Sequence, residues 1–236
     1  MGIVLFDMLR RLKKYCFRFF HPVIGEVWQL HRVTNEVSVD ATQRDYEIIP
    51  NRLSSLIEEY LRKGYHFTSV DKLYEMLKSN RYDKKFVVIT LDDGYADNYE
   101  IAYPIFKQYG IPFCVFVTKD FIFKGKDSYR FLSESQIVEL SQEPLCTIGC
   151  HTVSHPHLNL LAEEQQYSEI KQCKEWLEQM LGGPISYFAY PYGAYSIATE
   201  KNVRHMELAM AFAAWGGGIR KNVKYNLYAV PREIVK

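Results

Sequence analysis

The sequence predicts an α/β fold, a distorted (βα) barrel of seven or eight mainly parallel strands. Three observations lead there. Short apolar runs alternate with longer amphipathic segments along the chain, the pattern of βα units and a parallel sheet. There are eight such runs, enough for a barrel, and their bodies stay apolar on the whole. Polar and ionisable residues follow directly on their C-terminal ends, the rim where a parallel barrel assembles its chemistry.

The strands are expected at EVWQL (26–30), HFTSV (66–70), FVVIT (86–90), FCVFV (113–117), CTIGC (146–150), SYFAY (186–190), MAFAA (210–214) and LYAVP (227–231). Helices are expected over 50–63, 71–79, 97–109, 133–142, 162–181 and 196–208. That over 162–181 is the clearest. A Glu-rich first turn leads into a stripe of Ile170, Cys173, Trp176, Leu177 and Met180, and Gly182-Gly183-Pro184 stops it. Eight strands suggest a closed or nearly closed barrel. With 236 residues, 47% of them apolar, and no linker-like or repetitive stretch, one barrel domain over 23–236 is expected. Ahead of it, MLRRLKKYCFRFFHP gives residues 1–22 a basic, amphipathic character. At helical spacing, residues 8–20 suit either an anionic membrane surface or ordinary packing.

Composition narrows the partners. A net charge of +1 gives no support to nucleic acid, and no apolar run reaches the ~18 residues of a transmembrane helix. Five cysteines, an odd number, suggest reduced thiols. Basic residues interrupt any signal-peptide core. A cytoplasmic protein, peripheral on the inner face of the membrane, is the expectation.

Reading just past each strand gives His31 after EVWQL, Asp92 and Asp93 after FVVITL, His151 and His155 after CTIGC, Pro191 and Tyr192 after SYFAY, Trp215 and three glycines after MAFAA, and Arg232 after LYAVP. HTVSH spaces two imidazoles four apart, so that a helical turn would put them on one face. Two histidines and a carboxylate leave a metal position open for water. The adjacent aspartates repel each other and are costly to bury. A cation between them offsets that cost: one aspartate can bind it while the other stays free as a base.

TLDDGYADN, GCHTVSHPHLNLL and FAYPYGAYS, in that order and spacing, resemble the leading motifs of the polysaccharide deacetylases, the NodB-homology carbohydrate esterases. The likeness covers roughly residues 26 to 235. It implies a NodB-like barrel and a divalent metal ion, commonly zinc, that removes acetyl groups from N-acetylated sugars. By this resemblance Asp92 is the general base, Asp93, His151 and His155 hold the metal, and the Tyr192 N–H stabilises the oxyanion. Two departures stand out. The arginine that many members carry ahead of the third motif's proline is replaced by Phe188-Ala189-Tyr190, and the late L-x-x-H is missing. A circularly permuted subgroup, similar to the poly-N-acetylglucosamine deacetylases, places its histidine on the first strand. QLHRV puts His31 there, and Arg232 in VPREIV resembles the arginine that closes such chains.

Other residues read as bystanders. His157 points away from the metal, His205 sits in a helical region, and His21 and His66 are structural. A site of two thiolates and two imidazoles from Cys146, Cys150, His151 and His155 fails because strand-body thiols point into packing layers. WGGGI lacks the Lys-Ser/Thr of a phosphate loop. The expected function is metal-dependent release of acetate from an N-acetylated glycan or glycolipid. An amidohydrolase or O-acetyl esterase using the same site, and a non-catalytic glycan-binding barrel, are the alternatives.

Overall fold

Phe86–Leu91 is buried at every position, and the sheet is built outward from it. The computed structural model describes residues 21–236 apart from 37, 39, 127 and 215. The basic segment expected at the N-terminus therefore falls, but for residues 21 and 22, outside the described residues, as does Trp215.

In chain order the strands are β1 (Val23–Leu30), β2 (Arg32–Val33), β3 (Glu47–Ile48), β4 (His66–Phe67), β5 (Phe86–Leu91), β6 (Phe113–Val117), β7 (Cys146–Cys150), β8 (Tyr187–Ala189), β9 (Met210–Phe212), β10 (Ile219–Arg220) and β11 (Glu233–Ile234). The helices are α1 (Ala41–Arg44), α2 (Pro50–Arg62), α3 (Val70–Ser79), α4 (Tyr103–Tyr109), α5 (Lys119–Lys124), α6 (Glu134–Gln142), α7 (Glu163–Leu181) and α8 (Ile197–His205). The main sheet runs β10-β1-β5-β6-β7-β8-β9, with β4 added to β5 and β11 to β1. All its pairings are parallel except that of β10.

Side-chain alternation along these strands makes two cores. Val87, Ile89 and Leu91, with Val115 and Val117, face the helices. Phe86 and Val88, with Val27, Cys114, Phe116 and Phe212, fill the barrel interior.

Several elements differ from the sequence expectation. LYAVP is not a strand: Ala229 turns back onto Asn226, and the stretch meets β9 through the Leu227 carbonyl, which accepts from the Ala211 N–H, and an isolated bridge of Val230 to Phe212. Pro231 has no N–H to extend the ladder. The pairing resumes at Glu233–Ile234, which lie alongside Trp28 and Gln29 of β1. This stretch thereby stitches one end of the sheet to the other and brings Arg232 between them. β4 stops at Phe67, because the Ser69 hydroxyl caps α3 by accepting from the Lys72 N–H. The segment expected as one helix over 97–109 opens with a π-helical turn, Asn98–Ala102, before α4. Pro104 cannot donate the i→i−4 bond there, which accounts for the wider turn. The β2–β3 ladder, α1, α5, β10 and β11 are additional.

Candidate active site

Phe86 and Val88 point into the barrel, and the same row continues through Thr90 to Asp92 at its mouth. Arg232, 1% exposed, meets Asp92 there. Its Nη1 and Nη2 donate to Asp92 Oδ1 and Oδ2 at 2.7 and 2.8 Å, and the Gln29 amide donates to Oδ2 at 2.9 Å. The guanidinium also donates from Nη1 to Thr90 Oγ1 and from Nε to the Ala213 carbonyl. Its carbon lies 5.7 and 5.9 Å from the ring centres of Phe116 and Phe212. Burial by itself would raise the Asp92 pKa, but the Arg232 charge overcomes it and holds the carboxyl well below the usual carboxylate range.

Strand alternation would send Asp93 to the opposite face. Its φ of +74° turns it back into the same mouth. Asp93 Oδ1 then lies 3.2 Å from His155 Nε2 and 3.6 Å from His151 Nε2. These three residues form a cluster able to hold a metal ion. The imidazoles converge by a route other than the expected helical turn. Residues 151–155 are irregular, and Thr152 and His155 have φ of +72° and +59°. His151 Nδ1 bonds the Ala189 carbonyl at 2.8 Å, which leaves Nε2 as the lone-pair nitrogen. Burial pushes both histidines down, His151 to about 4 and His155 to about 3, with the Lys126 charge also acting on His155. Both are neutral near pH 7, as ligands must be. Asp93 Oδ1 is buried with no hydrogen-bond partner among the described residues. An orphaned carboxylate oxygen facing two free imidazole nitrogens fits a cation.

His31 continues the inward row Val27–Gln29 of β1 and lines the same cavity of about 430 Å³ as Asp92, Asp93, His151 and His155. Tyr46 flanks its ring at 4.7 Å. Enclosure in the cavity lowers its pKa, against the raising effect of Asp92 and Asp93. The backbone around it is pinned to the helical turn that follows the aspartates. Asn98 Nδ2 donates to the His31 carbonyl at 2.8 Å, the Val33 N–H to Asp97 Oδ1 at 3.2 Å, and Arg32 Nε to Asp97 Oδ2 at 2.9 Å.

Tyr192 lies in a 3-10 turn, Pro191–Gly193, with φ of +58°. Gly193 seats that turn against the strand end after β9: a Cβ there would lie 2.3 Å from the Ala214 nitrogen. The Tyr192 ring stacks flat on His157, centroids 3.8 Å apart, and meets His155 edge-on at 4.7 Å. His157 thus touches the tyrosine on its way around the rim. His205 is exposed at the end of α8 and does not line the cavity. Cys150 is wholly buried beside Ile148 in the outer core, and burial pushes its thiol up.

The geometry therefore gathers Asp92, Asp93, His31, His151, His155 and Tyr192 on one cavity, with Arg232 beneath it. Gln29, Asn98 and Asp97 belong to the site as well, and sequence reading passed over all three. Gln29 left one signal, a polar residue on the inward row of a buried strand. Asp97 and Asn98 stood within the quoted motif.

The polysaccharide deacetylase family model matches residues 79–211 of the chain. YxkH of Bacillus subtilis (strain 168), whose name places it among the polysaccharide deacetylases, is 31% identical over 170 residues. That alignment covers 72% of this chain but only 58% of YxkH, so the chain spans little more than half the length of that relative. The poly-β-1,6-N-acetyl-D-glucosamine N-deacetylase of Staphylococcus aureus (strain MRSA252) is 21% identical over 203 residues, 81% of this chain and 69% of that protein. Among solved structures, IcaB from Ammonifex degensii superposes with a TM-score of 0.80 at 24% identity, covering 91% of this chain and 92% of that one. The Streptococcus pyogenes deacetylase PplD in complex with acetate gives 0.78 at 24% identity, covering 91% and 93%. The distorted barrel is thus a shared fold.

Proposed function

The chain belongs to the polysaccharide deacetylase family, and from that premise we propose that it is a metal-dependent hydrolase that removes acetyl groups from N-acetylated sugars of a glycan. The observation that carries this reading is the pairing of two unlike carboxylates in one cavity. Asp92 is locked ionised by Arg232, while Asp93 offers an unpaired oxygen beside two neutral imidazoles. A glycan-binding barrel without chemistry has no use for that combination.

A divalent ion held by Asp93, His151 and His155, for which we propose zinc, would polarise the acetyl carbonyl and acidify a water. The chain's own groups complete the reaction. Asp92 accepts the proton of the attacking water, and Arg232 with Gln29 keeps its carboxylate oriented for that transfer. The Tyr192 N–H donates to the oxyanion that develops on the acetyl carbonyl. His31, in its imidazolium form, donates a proton to the sugar nitrogen as the C–N bond breaks, since an unprotonated amine is a poor leaving group near neutral pH, and the proton held on Asp92 replaces it for the next turnover. Acetate and a free amino sugar result.

We further propose that the substrate belongs to cell-surface polysaccharide biosynthesis, free or lipid-linked. Residues 8–20, with their basic amphipathic spacing, would hold the protein at the inner face of the membrane. Deleting residues 1–20 then abolishes sedimentation with anionic vesicles and spares hydrolysis of soluble substrate; unchanged sedimentation removes this part of the proposal. The deacetylase reading is tested by acetate release from N-acetylated oligosaccharides, O-acetylated sugars and non-sugar acetamides. Release from the first group supports it. Release only from the others assigns the site to a different amide or ester, and no release with metal present overturns it.

A further inference from the structure

The catalytic cavity carries a cation that the reaction just described does not use. Lys126 lines it together with His31, Asp93 and His155. Its ammonium rests 4.8 Å above the Phe121 ring, whose centroid is 5.5 Å from that of His155. The backbone holds it there through an antiparallel bridge to Tyr129, and Tyr129 packs edge-on against Tyr95 of the cavity wall at 5.6 Å. No carboxylate among the described residues pairs with the ammonium.

The charge balance makes that placement informative. Asp92 is already neutralised by the buried Arg232. Asp93 faces the metal position, where a dication would outweigh it. With the site loaded, the cation, Lys126 and Arg232 exceed the two carboxylates by two positive charges. A neutral N-acetylated sugar would leave that excess uncompensated, and placing an ammonium on the same cavity as a dication is unfavourable unless an anion joins them. We propose that Lys126 is a specificity-determining residue that selects N-acetylated glycans bearing an anionic oxygen group, a carboxylate or a phosphate, on or next to the sugar that is deacetylated. This inference rests on the deacetylase reading and narrows its substrate class. An ammonium suits either anion as a point charge that three rotatable N–H groups can follow. The Phe121 ring beneath it holds the ammonium by a cation–π contact, which is weaker than a charged hydrogen bond to an anionic oxygen.

The test uses the full chain, loaded with zinc, in an Asp92→Asn background so that no ligand is consumed. Three oligosaccharides sharing one N-acetylated residue are titrated calorimetrically: one with a neutral neighbour, one with a uronic acid, one with a phosphorylated sugar. We expect a charged ligand to bind about tenfold more tightly than the neutral one, the scale of one partly desolvated charged hydrogen bond. The advantage disappears in Lys126→Gln, reverses in Lys126→Glu and shrinks as salt rises. Which of the two charged ligands shows it identifies the anion. Zinc content and melting temperature of the Lys126 variants establish that they fold. Equal binding of neutral and charged ligands, a preference that survives Lys126→Glu, or no binding of any ligand overturns the inference. Acetate release by the unmodified protein from the neutral oligosaccharide, alongside any of those failures, leaves the deacetylase reading standing and removes only the role of Lys126.

Discussion

The guanidinium of Arg232 grips both carboxylate oxygens of Asp92, at 2.7 and 2.8 Å, across 140 positions of sequence. Both side chains are almost wholly buried. The pair therefore exchanges two large desolvation costs for two charge-assisted hydrogen bonds, and removing either partner costs stability by leaving the other's buried charge uncompensated.

Arg232→Ala should consequently cost about 3–5 kcal/mol of stability, the usual effect of stranding one buried charge. Urea denaturation at neutral pH checks it. Turnover should fall as well, while metal content holds, because Asp93, His151 and His155 are untouched. Arg232→Lys should recover part of the stability but little of the turnover, since an ammonium cannot hold both oxygens in plane. Full turnover in Arg232→Lys would mean that the orientation of Asp92 is immaterial.

The metal cluster predicts about one divalent ion per chain by elemental analysis, and none in His151→Ala/His155→Ala. Asp92→Asn should separate from that variant by keeping its ion and losing turnover. Retention of the ion in the double variant would refute the ligand assignment.

Much of this arrangement was legible in sequence because it sits at strand ends, and strand ends are where periodicity stops. FVVITL announces its own termination at Asp92, and EVWQL does so at His31. The αL backbone was not legible. Asp93, Thr152, His155 and Tyr192 all have positive φ without being glycine, and these turns, rather than a helix, bring the ligands together. Such conformations are imposed by contacts from outside the motif, for instance the Val153 and Ser154 N–H groups held by Glu169 Oε2. Gln29 was hidden for another reason: its partner Asp92 is 63 residues away, and no local pattern encodes that pairing. Arg232 was expected on the end of a strand over 227–231. It stands instead in the short gap between the Val230 bridge and β11, because Pro231 breaks the ladder.

The buried histidines set the pH response of the metal-free protein. Unfolded, His151 and His155 take up protons near their ordinary pKa of 6.5; folded, they resist until about 4 and about 3, chiefly because burial penalises the charged form. His31 is displaced in the same direction. The unfolded chain thus binds more protons throughout that window, so stability rises with pH there and is lost as pH falls from about 7 toward 4. Asp97 opposes this. Burial raises its carboxyl to about 6, despite Arg32, and it favours the folded state as pH drops. One carboxyl against three imidazoles leaves the histidines dominant. Urea midpoints of metal-free protein should be lower at pH 5 than at pH 7.5, and His151→Gln/His155→Gln should flatten the difference. A midpoint that rises on acidification would contradict the assignment.

His31 provides the last prediction. It lies on the inward row of β1, lines the cavity with Asp92 and both metal histidines, and is braced through its carbonyl by Asn98. His205, the last histidine in the chain, is exposed outside the cavity and so cannot supply the acid. His31→Ala should lower kcat on an N-acetylated sugar by ~10²–10⁴, the range of a general acid, with metal content unchanged. The same variant should lose far less on an aryl acetate, whose phenolate departs without a proton. Asn98→Ala should fall between, because the imidazole survives but its backbone support does not. His205→Ala should leave both substrates nearly unaffected. An equal loss on amide and aryl ester in His31→Ala would show that the imidazole serves binding or structure rather than proton donation to the leaving nitrogen.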